Sequence, residues 1–289
     1  MDKKTISYMK KNYPKLFYFV TKSYFAVRLI SELDRFRYIR CMLSKKPYLG
    51  ALMMAAQTWE ERKPFMRQLV KSEIQLKGGS GNYAILEIGS WAGNSAILWA
   101  ESIKEFDTVK GLVVCVDPWE PYVTDANVGI NVAPVIMNKA LKKNKIYNLF
   151  LHNIKATHND GIVKPYKGFS DQVLPTLREG LFDLGYVDGS HYYTNIMRDL
   201  NNTQKLIRDG GILCGDDLEL KKNEVDIENA EKSKERDAII DTRTKREFHP
   251  GVCLAVADFF GGEVSCYEGF WAMRKKGNSW ERVVIEIDE

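Results

Sequence analysis

The sequence contains no long hydrophobic run. None of the apolar stretches in its 289 residues approaches the roughly 18–20 residues that a helix needs to cross a bilayer. The first fifteen residues are charged and contain neither an apolar core nor a small-residue cleavage site, so we expect no secretory signal. Cysteine is scarce, with five residues and no C-x-x-C pair, which argues against a disulfide framework and a structural zinc site. These absences indicate a globular cytoplasmic protein with reduced thiols.

Charge is unevenly distributed along the chain, although the net charge is only +4. Residues 1–46 carry twelve Lys and Arg against three acids, a balance of +9, and the remaining residues balance to −5. From residue 20 onwards, apolar side chains recur every three or four positions, which predicts a helix with one apolar stripe. We expect that stripe to pack on the main domain or on a second subunit of a homo-oligomer. The alternative is a peripheral contact of 1–46 with an anionic membrane surface at the inner face. The stripe consists of Tyr24, Val27, Ile30, Leu33, Phe36 and Ile39.

After residue 81, short apolar runs alternate with helical stretches of about ten residues. Such alternation is typical of βαβ units, and it predicts an α/β fold with a Rossmann-like, doubly wound, mostly parallel sheet. Residues 1–80 are expected to form a helical extension, with a helix over 59–74, and 81–289 to form the main domain. The hydrophilic stretch 218–250 looks like an inserted flap. The predicted strands cover 83–88, 112–116, 149–154, 182–187, 211–214, 271–273 and 283–287, and the predicted helices of the domain cover 95–104, 135–141 and 195–207.

The first of these strands ends in a turn that suits a close approach of backbone to a ligand. Glu87 is followed by Gly89 and Gly93 in the pattern Gly-x-x-x-Gly, and a helix then begins. Trp91 stands where a G-x-G-x-x-G motif has its second glycine, which disfavours a nicotinamide or flavin dinucleotide. Asp117 ends the second strand and is placed to accept hydrogen bonds from ribose hydroxyls. Trp119, just beyond it, is a candidate to line an adenine site.

Three further segments carry a family resemblance through their order and spacing. They read KGFSDQVLP from residue 167, FDLGYVDGSHY from residue 182 and GGILCGDD from residue 210. Together with the E-x-G-x-x-x-G turn, the chain resembles the class I S-adenosylmethionine-dependent methyltransferases. Within them it is similar to the metal-dependent sugar O-methyltransferases that act in macrolide and aminocoumarin biosynthesis and on related glycans.

The resemblance implies a role for each strand-end residue. His191 would be the general base, and Asp188 would share the catalytic site. A divalent cation, Mg²⁺ or Mn²⁺, would be held by Asp188, Asp216 and Asp217, whose carboxylates would otherwise repel one another. The resemblance further implies S-adenosylmethionine as the methyl donor and a sugar hydroxyl as the acceptor, as in polysaccharide biosynthesis. The cofactor would contact Glu87, Gly89, Gly93, Asp117, Trp119, Gly168, Phe169 and Ser170.

Three competing functions remain open from the sequence. A nicotinamide-dependent oxidoreductase requires the phosphate-binding glycine that Trp91 replaces. Methylation of nucleic acid would suit the basic N-terminus, but the D/N-P-P-Y/F/W motif of adenine-amino methylation is absent and residues 47–289 are acidic. A non-catalytic module that retains the cofactor fold is the third. We expect the enzyme, acting on a sugar-containing acceptor and not on nucleic acid.

Overall fold

A computed structural model provides the structure of the chain, and it describes residues 32–56, 60–78, 82–106, 111–121 and 133–287. Most of the basic segment 1–46 lies outside this range, as does the first residue of the helix predicted for 59–74. That helix is observed from Lys63 to Leu76. No helix in the described part of the chain is long and apolar enough to cross a membrane.

The centre of the fold is an eight-stranded sheet. The order across it is β10-β9-β5-β4-β1-β2-β3, with β8 paired to β9. The five strands from β5 to β3 run parallel, and β9 and β10 are antiparallel additions at one edge. This is the predicted Rossmann-like, mostly parallel sheet. Its strands are β1 Ala84–Ile88, β2 Leu112–Asp117, β3 Val163–Lys167, β4 Phe182–Val187, β5 Ile207–Gly215, β8 Ser265–Tyr267, β9 Phe270–Lys276 and β10 Ser279–Arg282.

Helices cover both faces of the sheet, and each face has its own buried apolar cluster. Burying both faces explains why β1, β2 and β4 are apolar almost throughout instead of alternating. The five cysteines are free thiols. The helices are α1 at 32–43, α2 Lys63–Leu76, α3 Asn94–Phe106, α4 Ala133–Leu141, α5 Lys145–Ala156, α6 Ser170–Val173, α7 Tyr193–Leu206, α8 Ile227–Ser233 and α9 Pro250–Phe260.

The predicted apolar stripe of the N-terminal segment faces away from the domain where it is described. In α1, Leu33 and Phe36 are 60% and 68% exposed, and Ile39 is exposed as well. The helix contacts the core through a different set of side chains, which includes Tyr38 and Met42. The expectation that this stripe packs on the main domain is therefore wrong for its described residues.

The sequence prediction misplaced the third strand. Residues 149–154 belong to α5, and the strand that pairs with β2 is Val163–Lys167. The buried residues of α5 include Ile146, Leu149, Phe150 and Ile154, whose spacing is helical. β3 is less apolar than β1, β2 and β4 because it lies at the edge of the sheet, where three of its five residues are exposed to solvent.

Residues 283–287 form no strand, although Val283 and Ile285 are buried. Two of their backbone groups form hydrogen bonds with a side chain and not with a neighbouring strand. The hydroxyl of Tyr267 donates to the carbonyl oxygen of Val283 at 2.9 Å and accepts from the amide of Ile285 at 2.8 Å. Antiparallel β10 takes the edge position beside β9.

The segment 218–250 is folded onto the domain. It contains α8 and a small hairpin of β6 Ile239–Ile240 and β7 Glu247–Phe248. Asp226 caps α8 by accepting a hydrogen bond from the amide of Asn229. The buried Asp241 accepts from three backbone amides of the segment, those of Asp226, Arg243 and Thr244. Residues 253–256, which follow the segment 218–250, lie within α9 and are buried against α7 and α8.

Candidate active site

The carboxyl edge of the sheet opens between β1 and β4, where the strand order reverses. Loops that follow β1 and β4 leave the sheet in different directions there, which creates the crevice where ligands bind in such folds. Gly89 follows β1 with φ +83°, and a Cβ atom at this position would lie 2.0 Å from the carbonyl oxygen of Asp188. Glycine is therefore required where the two strand ends meet.

A cavity of about 840 Å³, including its open mouth, occupies this crevice. Its walls come from the ends of β1, β2 and β4, from the loop after β3, and from the first turns of α7. Of the residues predicted for the cofactor, Gly89, Asp117, Phe169 and Ser170 line it. The remaining lining residues are Ile88, Trp91, Val116, Pro118, Glu120, Met137, Leu141, Asp188, Gly189, Ser190, Tyr192, Asn195, Arg198 and Asp199.

Asp117 fixes the shape of the cavity floor. One carboxylate oxygen, Oδ2, accepts hydrogen bonds at 3.0 Å from the amides of Ser90 and Trp91, and Oδ1 accepts from the amide of Trp119 at 2.6 Å. A carboxylate offers about four lone-pair sites, so roughly one remains for a ligand. Asp117 therefore has too few free acceptor sites for the two hydrogen bonds that were predicted from the ribose hydroxyls.

Four residues predicted for the cofactor lie outside the cavity wall. Glu87 is fully buried, bonded to the Ser95 hydroxyl at 3.1 Å, and burial raises its pKa to about 8. Gly93 has φ +87° and leads into α3, and the Gly168 amide donates to the carbonyl oxygen of Asp117 at 3.1 Å.

Trp119 is the clearest of these differences. Its ring packs against Tyr147 and Phe150, and its indole nitrogen donates to the carbonyl oxygen of Trp91 at 2.8 Å. With φ +46°, the backbone turns this side chain into the core. It supports the loop of Trp91 from behind, and the prediction that it lines an adenine site is wrong.

The cavity includes a buried carboxylate that the sequence prediction missed. Asp199 is 4% exposed and accepts a hydrogen bond from the Ser170 hydroxyl at 2.5 Å. Burial raises its pKa to about 6. The signal was present in the sequence, because Tyr192, Asn195 and Asp199 follow helical spacing from the end of β4.

Beside the cavity, the carboxylates that follow β4 and β5 converge. Asp188 directly follows β4, and Asp216 and Asp217 follow β5. The hydroxyl of Tyr186 lies 3.2 Å from Oδ2 of both Asp188 and Asp216 and joins the two side chains. Burial and the neighbouring carboxylates raise the pKa of Asp188. Asp188 also lines the cavity, so it lies at the boundary between the cavity and the carboxylate cluster.

His191 lies between two carboxylates. Its Nε2 atom is 3.0 Å from Oδ2 of Asp217, and its Nδ1 atom is 2.9 Å from Oδ1 of Asp237. Burial opposes protonation of the ring, but Asp217 and Asp237 outweigh it and raise the pKa of His191 well above its ordinary value. Asp237 belongs to the segment 218–250, and no sequence pattern singled it out.

A guanidinium also enters the carboxylate cluster. Nη1 of Arg62 pairs with Oδ1 of Asp216 and lies 3.1 Å from Oδ1 of Asp217, while Nη2 lies 3.1 Å from Oε1 of Glu219. Glu219 in turn lies 3.1 Å from Nδ1 of His249. Although burial acts against the charged form, the pKa of Asp217 is lowered because His249, His191 and Arg62 surround it.

The donor atoms of this cluster suit a metal ion. Ligand atoms of His191, Asp217 and His249 lie within 4.8 Å of one another. Among the described residues, these three form the group whose donor atoms are close enough together to hold one metal ion. The predicted set of Asp188, Asp216 and Asp217 lies at the same sheet edge, but only Asp217 belongs to the compact group. Carboxylates and imidazoles together suit Mn²⁺ or Zn²⁺, and carboxylates alone suit Mg²⁺.

Comparison with known proteins gives a family match over the site. A family described as a methyltransferase domain matches residues 86–218, which span β1 to β5 and contain the cavity loops and all three strand-end acids. No curated protein sequence matches the chain.

Solved structures with a similar course of the chain include several methyltransferases. An O-methyltransferase from Bacillus cereus in complex with SAH is 16% identical, with 84% of this chain and 88% of that chain covered and a TM-score of 0.46. TomG from Streptomyces achromogenes, an O-methyltransferase in complex with SAM, is 15% identical, with 82% and 86% covered and a TM-score of 0.48. The O-methyltransferase NovP is 14% identical, with 75% and 80% covered and a TM-score of 0.47.

The match over 86–218 coincides with the Rossmann-like sheet, the glycine turn after β1 and the cavity at the carboxyl edge. This part of the chain is therefore similar to a methyltransferase domain.

Proposed function

We propose that the chain is an O-methyltransferase that methylates a hydroxyl group of a sugar in a glycan or glycosylated metabolite, with the assistance of a divalent cation. The observation that carries the proposal is the placement of His191. It stands beside Asp188, the residue shared between the cofactor cavity and the carboxylate cluster. Transfer to a hydroxyl requires a base beside the methyl group, because a neutral alcohol is a poor nucleophile.

Each group at the site has a task in this reaction. The hydroxyl oxygen attacks the methyl carbon, the carbon–sulfur bond breaks with its electron pair going to sulfur, and the hydroxyl proton passes to Nε2 of His191. Asp237 faces Nδ1, so it holds the proton of that nitrogen and leaves Nε2 as the acceptor. For this step Nε2 must first lose its own proton, which its contact with Asp217 holds in place by raising the pKa of the ring. A cation bound to Asp217 would remove that contact, lower the pKa of His191 and leave Nε2 to face the acceptor.

The cation belongs to the same proposal. When bound, it would supply the positive charge that lowers the pKa of the acceptor hydroxyl. We propose Asp217 as its central ligand, with Asp188 and Asp216 completing the set, and His249 is the nearest alternative donor. The sugar as acceptor rests on the D-G-S-H and G-D-D segments and their resemblance to sugar O-methyltransferases.

An acceptor screen tests the proposal. The full chain is incubated with methyl-labelled S-adenosylmethionine, nucleotide sugars and glycans, with MnCl₂ or MgCl₂ or with excess chelator. We expect labelled sugar only when the cation is present. His191→Ala should lower turnover by about 10²–10⁴-fold, the usual contribution of a general base, and His158→Ala, at an exposed histidine, should leave it unchanged. Full turnover in chelator refutes the cation, and unchanged turnover in His191→Ala refutes the base.

A further inference from the structure

Arg62 is a buried arginine whose guanidinium contacts three carboxylates. It is 4% exposed and lies just before α2, far in sequence from the residues it contacts. Three carboxylates surround its guanidinium, those of Asp216, Asp217 and Glu219. Arginine remains charged under all ordinary conditions, so this position always carries a positive charge.

The fold is shaped to hold the guanidinium there. The Nε atom of Arg62 donates to the carbonyl oxygen of Glu268 at 2.7 Å, which fixes the plane of the group. The neighbouring Gly269 has φ +92°, and a Cβ atom at that position would lie 2.6 Å from Nη2 of Arg62. A side chain at residue 269 would therefore displace the guanidinium.

The contacts of Arg62 use the same oxygens that a metal would need. It bonds to Oδ1 of Asp216 and Oδ1 of Asp217, and His191 takes Oδ2 of Asp217. A divalent cation at Asp216 and Asp217 must therefore share these carboxylates with a resident positive charge, which repels it and occupies its ligand atoms.

We propose that Arg62 is an internal competitor of the divalent cation: its guanidinium neutralises part of the carboxylate cluster when no metal is bound, and a bound cation must take carboxylate oxygens of Asp216 and Asp217 that the guanidinium occupies. This rests on the proposed metal-assisted function only in taking the cluster as the cation site. It predicts a domain that folds without metal and binds metal more weakly than its carboxylates alone would.

Thermal unfolding and cation titration of the full chain test the exchange. Arg62→Met retains the length of the side chain without its charge, and Arg67→Met is the matched control, because Arg67 lies on α2 in an exposed pair with Glu105. In chelator we expect Arg62→Met to unfold about 10 °C below the wild type, since a buried pair loses one partner. Added MnCl₂ should restore most of that loss and should shift the wild type and Arg67→Met little.

Calorimetric titration with MnCl₂ gives the second measurement. We expect Arg62→Met to bind Mn²⁺ at least about tenfold more tightly than the wild type, with Arg67→Met equal to the wild type. Arg62→Lys, which keeps a charge but not the fork of donors, should lie between them and serves if Arg62→Met does not fold.

Three results would overturn the proposal: equal Mn²⁺ affinity in the wild type and the Arg62 variants, no Mn²⁺ binding by any of them, or a stability loss in Arg62→Met that Mn²⁺ does not repair. Turnover of the wild type in chelator would instead contradict the metal-assisted reaction, and the affinity comparison would still decide the role of Arg62.

Discussion

Replacing Asp117 should destabilise the fold even when no cofactor is bound. Its carboxylate accepts hydrogen bonds from three backbone amides, those of Ser90, Trp91 and Trp119. All three amides lie in the loops that form the cavity floor. The side chain therefore holds the ends of β1 and β2 in place even without a ligand.

The magnitude follows from these contacts. A hydrogen bond to a charged group contributes about 1.5–3 kcal/mol, and a buried donor left without a partner costs about 1–3 kcal/mol. Asp117→Ala leaves three backbone amides without an acceptor, so we expect the free energy of unfolding to fall by about 4–6 kcal/mol. In Asp117→Asn the amide oxygen can replace Oδ2 for two of the donors, and the loss should be about 1–3 kcal/mol.

Cofactor affinity should fall as well, by less than the stability that Asp117→Ala loses. About one lone-pair site of Asp117 remains for the ribose, so Asp117→Asn should weaken S-adenosylmethionine binding by roughly 1.5 kcal/mol, about tenfold. Urea unfolding measures the first effect and calorimetry the second. Asp160→Asn, an exposed acid, serves as the control in both measurements. Wild-type stability in Asp117→Ala would refute the role assigned to the three amide contacts.

Two further predictions concern other parts of the molecule. The pKa of Asp199 is about 6 when folded against an ordinary 3.8, so the fold loses stability as the pH rises from about 4 to about 6, and the loss is complete above that range and absent below it. Asp199→Asn should therefore raise the free energy of unfolding by up to about 3 kcal/mol at pH 7.5 and leave it unchanged at pH 4, as measured by urea unfolding; equal effects at both pH values would contradict this. Residues 1–46 should bind anionic liposomes at low salt and release them at high salt, because each basic side chain near the surface contributes about 1 kcal/mol and α1 exposes Leu33 and Phe36. Co-sedimentation measures this, and a chain that stays in the supernatant with anionic liposomes at low salt would contradict it.

Strand-end chemistry was predictable from the sequence because it is local. A buried apolar strand followed by Asp117, Asp188 or Asp216 places each carboxylate at one edge of a parallel sheet, and the structure places them there. The glycine turn is local as well, since the close approach at Gly89 requires a residue without a side chain.

The parts that were missed depend on contacts between distant segments. Arg62 reaches Asp216 across 154 positions, and Asp237 reaches His191 across 46. Neither residue stands in a recognisable pattern, so only the folded chain reveals them. Tyr267 satisfies the backbone of residues 283–285 through its hydroxyl, which no alternation of apolar residues could have predicted.

Binding of the methyl donor tests the central claim most directly. S-adenosylmethionine and NADH are titrated separately into the full chain by calorimetry. A cavity with the carboxylate of Asp117 on its floor and Trp91 in place of a phosphate-binding glycine should bind S-adenosylmethionine with a Kd in the micromolar range, about −8 kcal/mol, and should not bind NADH. Binding of NADH with no binding of S-adenosylmethionine would contradict the proposed methyltransferase function.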